Sequence, residues 1–332
     1  MTSLAAGIIP TTDLVFSATQ VSTFEDCPRK WAFRYIDGVE SPPNKYADLG
    51  IDTHGVLEDW LRLAKVPSGT DKSVELARAL VPLLPVPQAL DPRNVEIDQY
   101  YTLCGVTFNL KVDLFVPQMV GQACSVCGFA QFEVPAGLTC ANGHGGAPSV
   151  VVSRPRVYDH KTCGDFQCAR RPHELPRDIQ GSLYGGWALH KTRVPEVDLQ
   201  WNYVRTKGAV RTLPVVTTVG GRDIEERLGK TLETAGHMRV IAESGAAAMQ
   251  VPYDARSCKK YGGCPHEARC NLSPQEKMQS FVAQATATRG DTIMAATDDF
   301  LARLARSNPS NGAAQPQGQM PMQPQGQMPM QP

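Results

Sequence analysis

The sequence has 332 residues, of which 42% are hydrophobic, and 33 basic residues balance 33 acidic ones. This composition is ordinary for a globular protein and allows one large domain or two small ones. No apolar run approaches about 18 residues, and the N-terminus lacks a basic segment followed by a hydrophobic one, so we expect neither a membrane-spanning nor a secreted protein. Without net charge there is no global positive field, so a nucleic-acid partner would need a local basic lining.

The chain contains ten cysteines, which is many for a chain without an export signal. Seven of them fall into two spaced groups, and this favours metal binding over disulfides. The first group lies within residues 118–150, where Cys124, Cys127, Cys140 and His144 form two short pairs in glycine-bearing turns. This spacing predicts a closed, structural zinc ribbon that supports folding and does no chemistry. The alternative is a set of unrelated reduced thiols.

The second cysteine group is Cys258, Cys264 and Cys270, with five residues between neighbours. Three thiolates are one short of a closed site, and Cys27 is the natural fourth. Zinc usually binds closer pairs, whereas this wider, glycine-rich spacing suits an iron–sulfur cube, so we predict a 4Fe-4S cluster with zinc as the alternative. Either would clip the start of the chain to its end and close a long loop, which stabilises the fold.

Helices dominate the first part of the chain. A first helix begins at Ser17, because Ser17 and Gln20 form a capping box, and Pro28 begins a second. A third predicted helix, residues 46–65, carries His54. By itself, a helical histidine is more often a surface or core residue than a ligand. Further helices are predicted over residues 71–84, 175–191 and 222–243.

Two predicted strands carry acidic residues. Asp113 is embedded in an apolar strand, and burying it without a partner would be costly, so we expect a metal, a basic group or a set of donors nearby. Asp159 and Lys161 share one face of another strand. The carboxylate can hold a divalent metal while the lysine positions water or stabilises charge on phosphate, although an isolated pair of this kind is more often solvated. The predicted strands are 96–103, 106–116, 154–161, 197–205 and 210–219.

A basic loop precedes the helix predicted over residues 175–191. Arg170, Arg171 and Arg177 in and beside this loop form a cluster that is usually a solvated surface, but beside a metal site it could hold phosphates. Gln180 and Tyr184 lie one turn apart on the helix and share a face. A tyrosine there is a core residue by default, whereas a buried amide needs hydrogen-bond partners.

The C-terminal residues 308–332 end in two copies of Gln-Pro-Gln-Gly-Gln-Met-Pro-Met, without charge or core-forming content, and we predict a disordered tether. The predicted division of the chain is 1–16 as lead-in, 17–117 as N-terminal helices and first strands, 118–150 as the zinc ribbon, 151–272 as the rest of the core with the second cysteine group, 273–307 as C-terminal helices and 308–332 as the tail.

In this order the motifs resemble the PD-(D/E)XK nuclease superfamily, over about residues 14–272. The similarity is to its RecB-like branch, which includes the iron–sulfur nucleases of CRISPR adaptation and of bacterial helicase–nuclease complexes. No single motif is specific, whereas six in the right order are. The matching motifs are residues 19–28 ending in Cys27-Pro28, Gly50 to His54, Asp113 on a strand, Asp159-His160-Lys161-Thr162, Gln180 to Tyr184, and the cysteines 258, 264 and 270.

The resemblance implies an α/β (α+β) fold: a restriction-endonuclease-like core of a mixed sheet flanked by helices, with an iron–sulfur clip. The zinc ribbon predicted from the ligand spacing is an insertion in this core. Lys161 would activate or position water for in-line attack on a phosphodiester. A histidine ligand would favour Mn²⁺ over Mg²⁺ alone. The metal ligands implied are His54, Asp113, Asp159 and the carbonyl of His160. The catalytic residues implied are Asp113, Asp159, Lys161, Gln180 and Tyr184, the last two orienting substrate and lysine.

The function that this resemblance implies is a metal-dependent DNA exonuclease acting on ends or single strands in replication, recombination or repair. It also implies a phage or bacterial origin and action in the bacterial cytoplasm. Two alternatives are a DNA-end-binding or scaffold protein with a vestigial site, and a subunit that works only with a helicase or recombination protein. Two features depart from the family pattern: the ribbon between the strands of Asp113 and Asp159, and the wide cysteine spacing.

Overall fold

The computed structural model describes residues 14–42, 44–124, 130–132, 149–273 and 275–276. Within these residues, seven strands form one mixed sheet. The strands are β1 (Val15–Ser17), β2 (Val95–Leu103), β3 (Val106–Cys124), β4 (Ala130–Phe132), β5 (Ser149–Cys163), β6 (Glu196–Arg205) and β7 (Thr212–Gly220). The main path is β1-β3-β5-β6-β7, and β2 and β4 also pair with β3. The predicted mixed sheet is therefore confirmed.

Seven α-helices accompany this sheet in the described part of the chain. They are α1 (Ala18–Asp26), α2 (Pro28–Tyr35), α3 (Lys45–Leu63), α4 (Lys72–Leu80), α5 (Ile179–Thr192), α6 (Gly221–Glu243) and α7 (Glu267–Cys270). The start of α1 follows the predicted cap, because the Ser17 hydroxyl accepts a hydrogen bond from the N–H of Gln20 at 3.2 Å. Among the described residues, no helix is both long and apolar enough to span a membrane.

The helices cover both faces of the sheet. On one face, α3 and α4 bury Leu57, Trp60 and Leu80 against the strand residues Leu114 and Tyr158. On the other face, α1, α2, α5 and α6 build a larger core around buried aromatic residues. Strand β6 is covered on both sides, since eight consecutive residues along it are buried. The site described below therefore rests on a sheet with little freedom to move.

Long strands β3 and β5 carry the acidic residues and pair antiparallel from Leu114 and Tyr158 out to Cys124 and Ser149. They extend further than the predicted strands 106–116 and 154–161. The segment between Cys124 and Ser149 is thus the connection of a hairpin, as expected for the insertion. The register shifts between Val116 and Met119, at Pro117, because proline has no N–H to give to the ladder.

Two predicted helices have different limits from those expected. Helix α5 begins at Ile179, after a 3-10 turn at Pro172–Arg177. The Asp178 side chain caps α5 by accepting the N–H groups of Gln180 and Gly181, so the capping residue sets the start. Helix α4 ends at Leu80 and continues as a 3-10 turn that contains Pro82.

Candidate active site

The two predicted catalytic carboxylates meet at the centre of the sheet. Leu114 of β3 pairs with Tyr158 of β5, and Asp113 and Asp159 are the next residues along the two strands. Both side chains are almost fully buried, with 6% and 1% of their surface exposed. The Oδ2 atom of Asp113 accepts the backbone N–H of His160 at 2.6 Å. Hairpin pairing therefore brings together two acids that are 46 residues apart in the chain.

Lys161 and Gln180 complete this centre. The Lys161 Nζ atom lies 2.7 Å from Asp159 Oδ2 and donates to Gln180 Oε1 at 2.8 Å. The amide of Gln180 donates to Asp159 Oδ1 at 2.7 Å and to the hydroxyl of Tyr184 at 2.8 Å. That hydroxyl in turn donates to the carbonyl of Lys111. Gln180 thus has the partners that a buried amide requires.

The position of Gln180 depends on a glycine beside it. A Cβ at Gly181 would collide with the carbonyl oxygen of Leu175, so only glycine allows the start of α5 to lie so close to the preceding turn. Burial lowers the pKa of Lys161, but the charges of Asp159 and Asp113 outweigh it and raise the pKa above its ordinary value. Lys161 is therefore an ammonium group that can position water or neutralise developing negative charge.

His54 on α3 approaches the same carboxylates from the side of the helix. Its Nδ1 atom lies 3.6 Å from Asp113 Oδ1 and 3.5 Å from Glu96 Oε1. Its Nε2 atom lies 2.9 Å from the carbonyl oxygen of His160. Burial lowers the pKa of His54, but the hydrogen bond to Glu96 and the charge of Asp113 raise it to about 9. In the metal-free protein, the imidazolium thus partly neutralises the acids.

Glu96 is a member of the site that the sequence analysis missed. It lies at the start of β2, and its side chain is 28% exposed. The register of the β2–β3 hairpin could have revealed it. Leu103 pairs with Val106 across the turn, and Glu96 and Asp113 each lie seven residues beyond that pair, hence opposite one another.

His160 contributes its backbone to the site. Its ring lies on the opposite face of β5 from Asp159 and Lys161, as strand alternation requires. The ring is buried, and burial together with the charges of His54 and Lys161 lowers its pKa to about 3, so it is neutral. The N–H of His160 binds Asp113 and its carbonyl accepts from His54. The backbone of His160 therefore links the His54 ring to the carboxylate of Asp113.

The acidic groups are in excess, and this favours a divalent cation. Burial and the charge of Asp159 raise the pKa of Asp113 to about 8, and burial also raises the pKa of Asp159. One atom each of His54, Glu96 and Asp113 lies within 4.8 Å of the others, which is close enough for one ion. Carboxylate oxygens with one imidazole nitrogen suit Mn²⁺ or Mg²⁺. The donor set therefore fits the predicted metal.

A cleft of about 640 Å³ adjoins this centre and shares Gln180 with it. Its lining includes Thr19 and Ser22 of α1, together with Arg170 and Arg177. Arg170 is paired with Asp178 at 3.0 Å, whereas Arg177 is exposed. Arg171, the third predicted basic residue, does not line the cleft. The cleft carries hydroxyl and guanidinium groups, both of which bind phosphate, beside the carboxylates of Glu25, Glu174 and Asp178.

The second cysteine group lies near Cys27. Cys27 lies at the junction of α1 and α2, and its Sγ accepts the N–H of Asp254 at 3.4 Å. Burial, followed by the charges of Cys264, Cys27 and Cys270, raises the pKa of Cys258 to about 11, so the four thiols are close in space. The junction is reinforced by Arg29, which donates to Val251 O at 2.8 Å and to Cys270 Sγ at 3.5 Å.

The predicted zinc ligands lie outside the described residues: Cys127, Cys140 and His144 entirely, and Cys124 as far as its side chain is concerned. The same is true of the tail and of nearly all of the C-terminal helices predicted over 273–307.

Comparison with known proteins adds the family. Residues 15–104 match the model of the PD-(D/E)XK nuclease superfamily. This segment is similar to that superfamily. The matched segment includes His54 and Glu96 and ends just before β3, so Asp113, Asp159 and Lys161 lie beyond it. No curated protein matches the chain.

One solved structure with a similar fold is that of a candidate exonuclease from Eubacterium rectale. It is 8% identical in sequence, the comparison covers 74% of this chain and 88% of that one, and the TM-score is 0.41. A similarity this loose transfers neither residue roles nor activity to this chain.

Proposed function

We propose that this protein is a metal-dependent nuclease that hydrolyses phosphodiester bonds in DNA as an exonuclease. The observation that carries the proposal is the set of contacts joining Asp159, Lys161 and Gln180, with Asp113 of the neighbouring strand bound to the N–H of His160. Two buried acids, a charged lysine in contact with one of them, and an amide that holds both acid and lysine form an arrangement suited to phosphoryl chemistry. The superfamily match over residues 15–104 supports the same reaction class.

In this proposal, each residue of the site has a defined task. Asp113, Asp159 and His54 hold Mg²⁺ or Mn²⁺, which when bound polarises a phosphate oxygen and lowers the pKa of water. Lys161 positions the attacking water and neutralises the charge that develops on the phosphate. Gln180 keeps Lys161 next to Asp159, and Tyr184 fixes the Gln180 amide by its own hydrogen bond to the backbone of Lys111.

The substrate strand, in this proposal, leaves the metal centre through the cleft beside Gln180. Arg177 and Arg170 then bind its phosphates, together with the hydroxyl groups of α1. Because the chain has no net charge, a narrow binding path with few cations suits it better than a wide basic surface that binds a duplex. We place this activity in DNA replication, recombination or repair in the bacterial cytoplasm, in a bacterium or a phage-infected cell, where a helicase or recombination protein is a candidate partner.

Two further metal centres belong to the proposal. Cys27, Cys258, Cys264 and Cys270 hold a 4Fe-4S cluster that ties α1 and α2 to the end of the core. The support is their common location, far apart in sequence, and the chemistry of four thiols. The ribbon ligands Cys124, Cys127, Cys140 and His144 hold a structural zinc ion, which the ligand spacing supports.

The experiment for the enzyme proposal is digestion of end-labelled single- and double-stranded DNA by anaerobically purified protein in Mn²⁺, Mg²⁺ or EDTA. We expect cleavage that requires the metal and is lost in Asp159→Asn, while Asp52→Asn, an exposed acid on α3, cleaves normally. A ladder of products would give the polarity. If cluster-loaded wild type binds DNA but leaves all substrates intact, the scaffold alternative replaces the enzyme.

Iron and acid-labile sulfide measurements, together with visible absorption, test the cluster. We expect iron and sulfide at four each per chain, the composition of a 4Fe-4S cube. In Cys270→Ser we expect both to be lost. Zinc in place of iron in anaerobically prepared protein would contradict the iron–sulfur assignment and leave the nuclease proposal untouched.

A further inference from the structure

The backbone of Glu96 departs from the strand in which it lies. Val95 pairs with Leu114 and Ile97 pairs with Val112, but Glu96 itself is absent from the β2–β3 ladder. Its φ is +45°, in the left-handed region that side chains other than glycine rarely adopt. At this irregular position, opposite Asp113, the Glu96 carboxylate comes within 3.5 Å of His54 Nδ1.

The orientation of His54 indicates which of its nitrogens faces the carboxylates. Nε2 lies 2.9 Å from the His160 carbonyl, and a carbonyl can only accept, so Nε2 carries a proton in this contact. Nδ1 is directed to Glu96 Oε1 and Asp113 Oδ1 instead. When the imidazole is neutral, Nδ1 is therefore the nitrogen with a free lone pair, and it lies beside two carboxylate oxygens.

We propose that Glu96 is a ligand of the catalytic metal ion, together with His54 Nδ1 and Asp113, and that the His160 carbonyl orients His54 instead of binding the ion. The inference rests on the proposed function, because it concerns the same ion. It differs from the ligand set that the family resemblance implies, in which Glu96 has no part and the His160 carbonyl is a ligand.

Two observations support the inference. The ligand atoms of Glu96, His54 and Asp113 already lie within 4.8 Å of one another, so little movement is needed to surround an ion. A carbonyl that accepts from the distal nitrogen of a metal-bound histidine is a common way to fix the ring and its protonation. The simpler alternative is that Glu96 only pairs with the imidazolium of the metal-free protein.

Binding of Mn²⁺ to the metal-free but cluster-loaded protein distinguishes these two readings, with free Mn²⁺ measured by electron paramagnetic resonance. We expect Glu96→Gln to weaken Mn²⁺ binding by about tenfold or more, the scale of losing a ligand or its support. Asp98→Asn is the matched control, since Asp98 is an exposed acid two residues further along β2. Glu96→Asp, which keeps a carboxylate, is expected to bind Mn²⁺ better than Glu96→Gln.

Circular dichroism confirms that each variant is folded before binding is compared. Equal Mn²⁺ affinity in folded Glu96→Gln and wild type would overturn the inference. The proposed function would survive that result, provided that the wild type still binds Mn²⁺ and cleaves DNA. Wild-type protein that neither binds Mn²⁺ nor cleaves DNA would instead contradict the proposed function itself.

Discussion

Strand β5 carries two groups of buried charges on its opposite faces, and they differ in balance. On one face, Arg156 pairs with Asp198 at 3.1 Å and donates to Gln200 at 3.1 Å, while Thr218 donates to the other oxygen of Asp198 at 2.8 Å. On the other face, Asp159 faces Asp113, and Glu96 lies nearby. In the first group, Arg156 is the cation that balances the carboxylate of Asp198.

The second group has too few protein cations for its carboxylates. Lys161 and His54 face three acids, and both buried aspartates have raised pKa values, chiefly because of burial. A balanced buried pair adds little net stability, but removing one partner is costly. An unbalanced acidic group favours a cation from solution. Both groups are buried, so the balance between carboxylates and cations is what distinguishes the structural group from the candidate active site.

The largest expected effect is the loss of cleavage in Lys161→Ala. The single-turnover rate should fall by about 10²- to 10⁴-fold, because the group that positions water and neutralises the phosphate is removed. The melting temperature should fall as well, because the buried carboxylate of Asp159 loses the cation beside it, so the rate is compared per folded molecule. Lys111→Ala is the control, because that side chain is exposed on β3. Equal rates in the two variants would remove Lys161 from the chemistry.

On the balanced face, Arg156→Met should act on stability instead. We expect the free energy of unfolding to fall by about 3–5 kcal/mol, because Asp198 would remain buried without its main partner. Urea denaturation measures this loss. Arg93→Met removes an exposed pair with Asp91 and should leave the urea midpoint nearly unchanged. DNA cleavage per folded molecule should persist in Arg156→Met, and its disappearance would show that the two faces are coupled.

The pH dependence of stability should differ between metal-free and metal-bound protein. The pKa of Asp113 is raised to about 8 by burial and by Asp159, so this group stabilises the fold at low pH and loses that effect as pH rises from about 4 to 8. The pKa of His54 is raised to about 9 against the effect of burial, so its contribution is complete below about 6.5 and is lost as pH rises through 9. Both signs agree.

In EDTA, the melting temperature should therefore fall between pH 6 and pH 9, and Mn²⁺ should suppress that fall. Asp113→Asn should stabilise the metal-free protein at pH 8, by about 1–3 kcal/mol, because a buried group that must ionise is removed. Asp52→Asn should follow the wild type. A melting temperature in EDTA that rises over this pH range would contradict the acid-excess description of the site.

The smallest expected effect concerns the cleft. Arg177→Ala should weaken DNA binding and reduce the slope of log affinity against log salt by about 0.7, the value of one phosphate contact on a single strand. Arg171→Ala is the matched control, because Arg171 is exposed nearby but does not line the cleft. Equal slopes for the two variants would place the strand elsewhere.

Much of the fold could be predicted because its signals are local. The cap at Ser17, the proline at the start of α2 and the glycine turn between β2 and β3 are fixed by neighbouring residues. The predicted start of α5, at residue 175, is too early. The helix begins after the Asp178 cap instead of near Pro176, and the close approach of Gly181 to the Leu175 carbonyl fixes this start. Strand β6 alternates polar and apolar residues, yet both of its faces are buried.

The candidate site could be predicted where order along the chain sufficed. Asp113, Asp159, Lys161 and Gln180 were named from their motifs. In the structure Asp159, Lys161 and Gln180 contact one another, and Asp113 binds the backbone N–H of His160, which lies between Asp159 and Lys161. Glu96 was missed because its role depends on two features. One is the register of β2 against β3, and the other is a left-handed backbone that no local sequence pattern predicts. The Arg156 network was not predicted either, because its members lie on three neighbouring strands, β5, β6 and β7.

The most direct test of the acid-excess site is anomalous diffraction from crystals of the protein soaked in Mn²⁺. The account predicts a manganese peak in contact with the carboxylate of Asp113, and no peak beside the balanced pair of Arg156 and Asp198. Manganese absent from Asp113 at a concentration that supports DNA cleavage would contradict it.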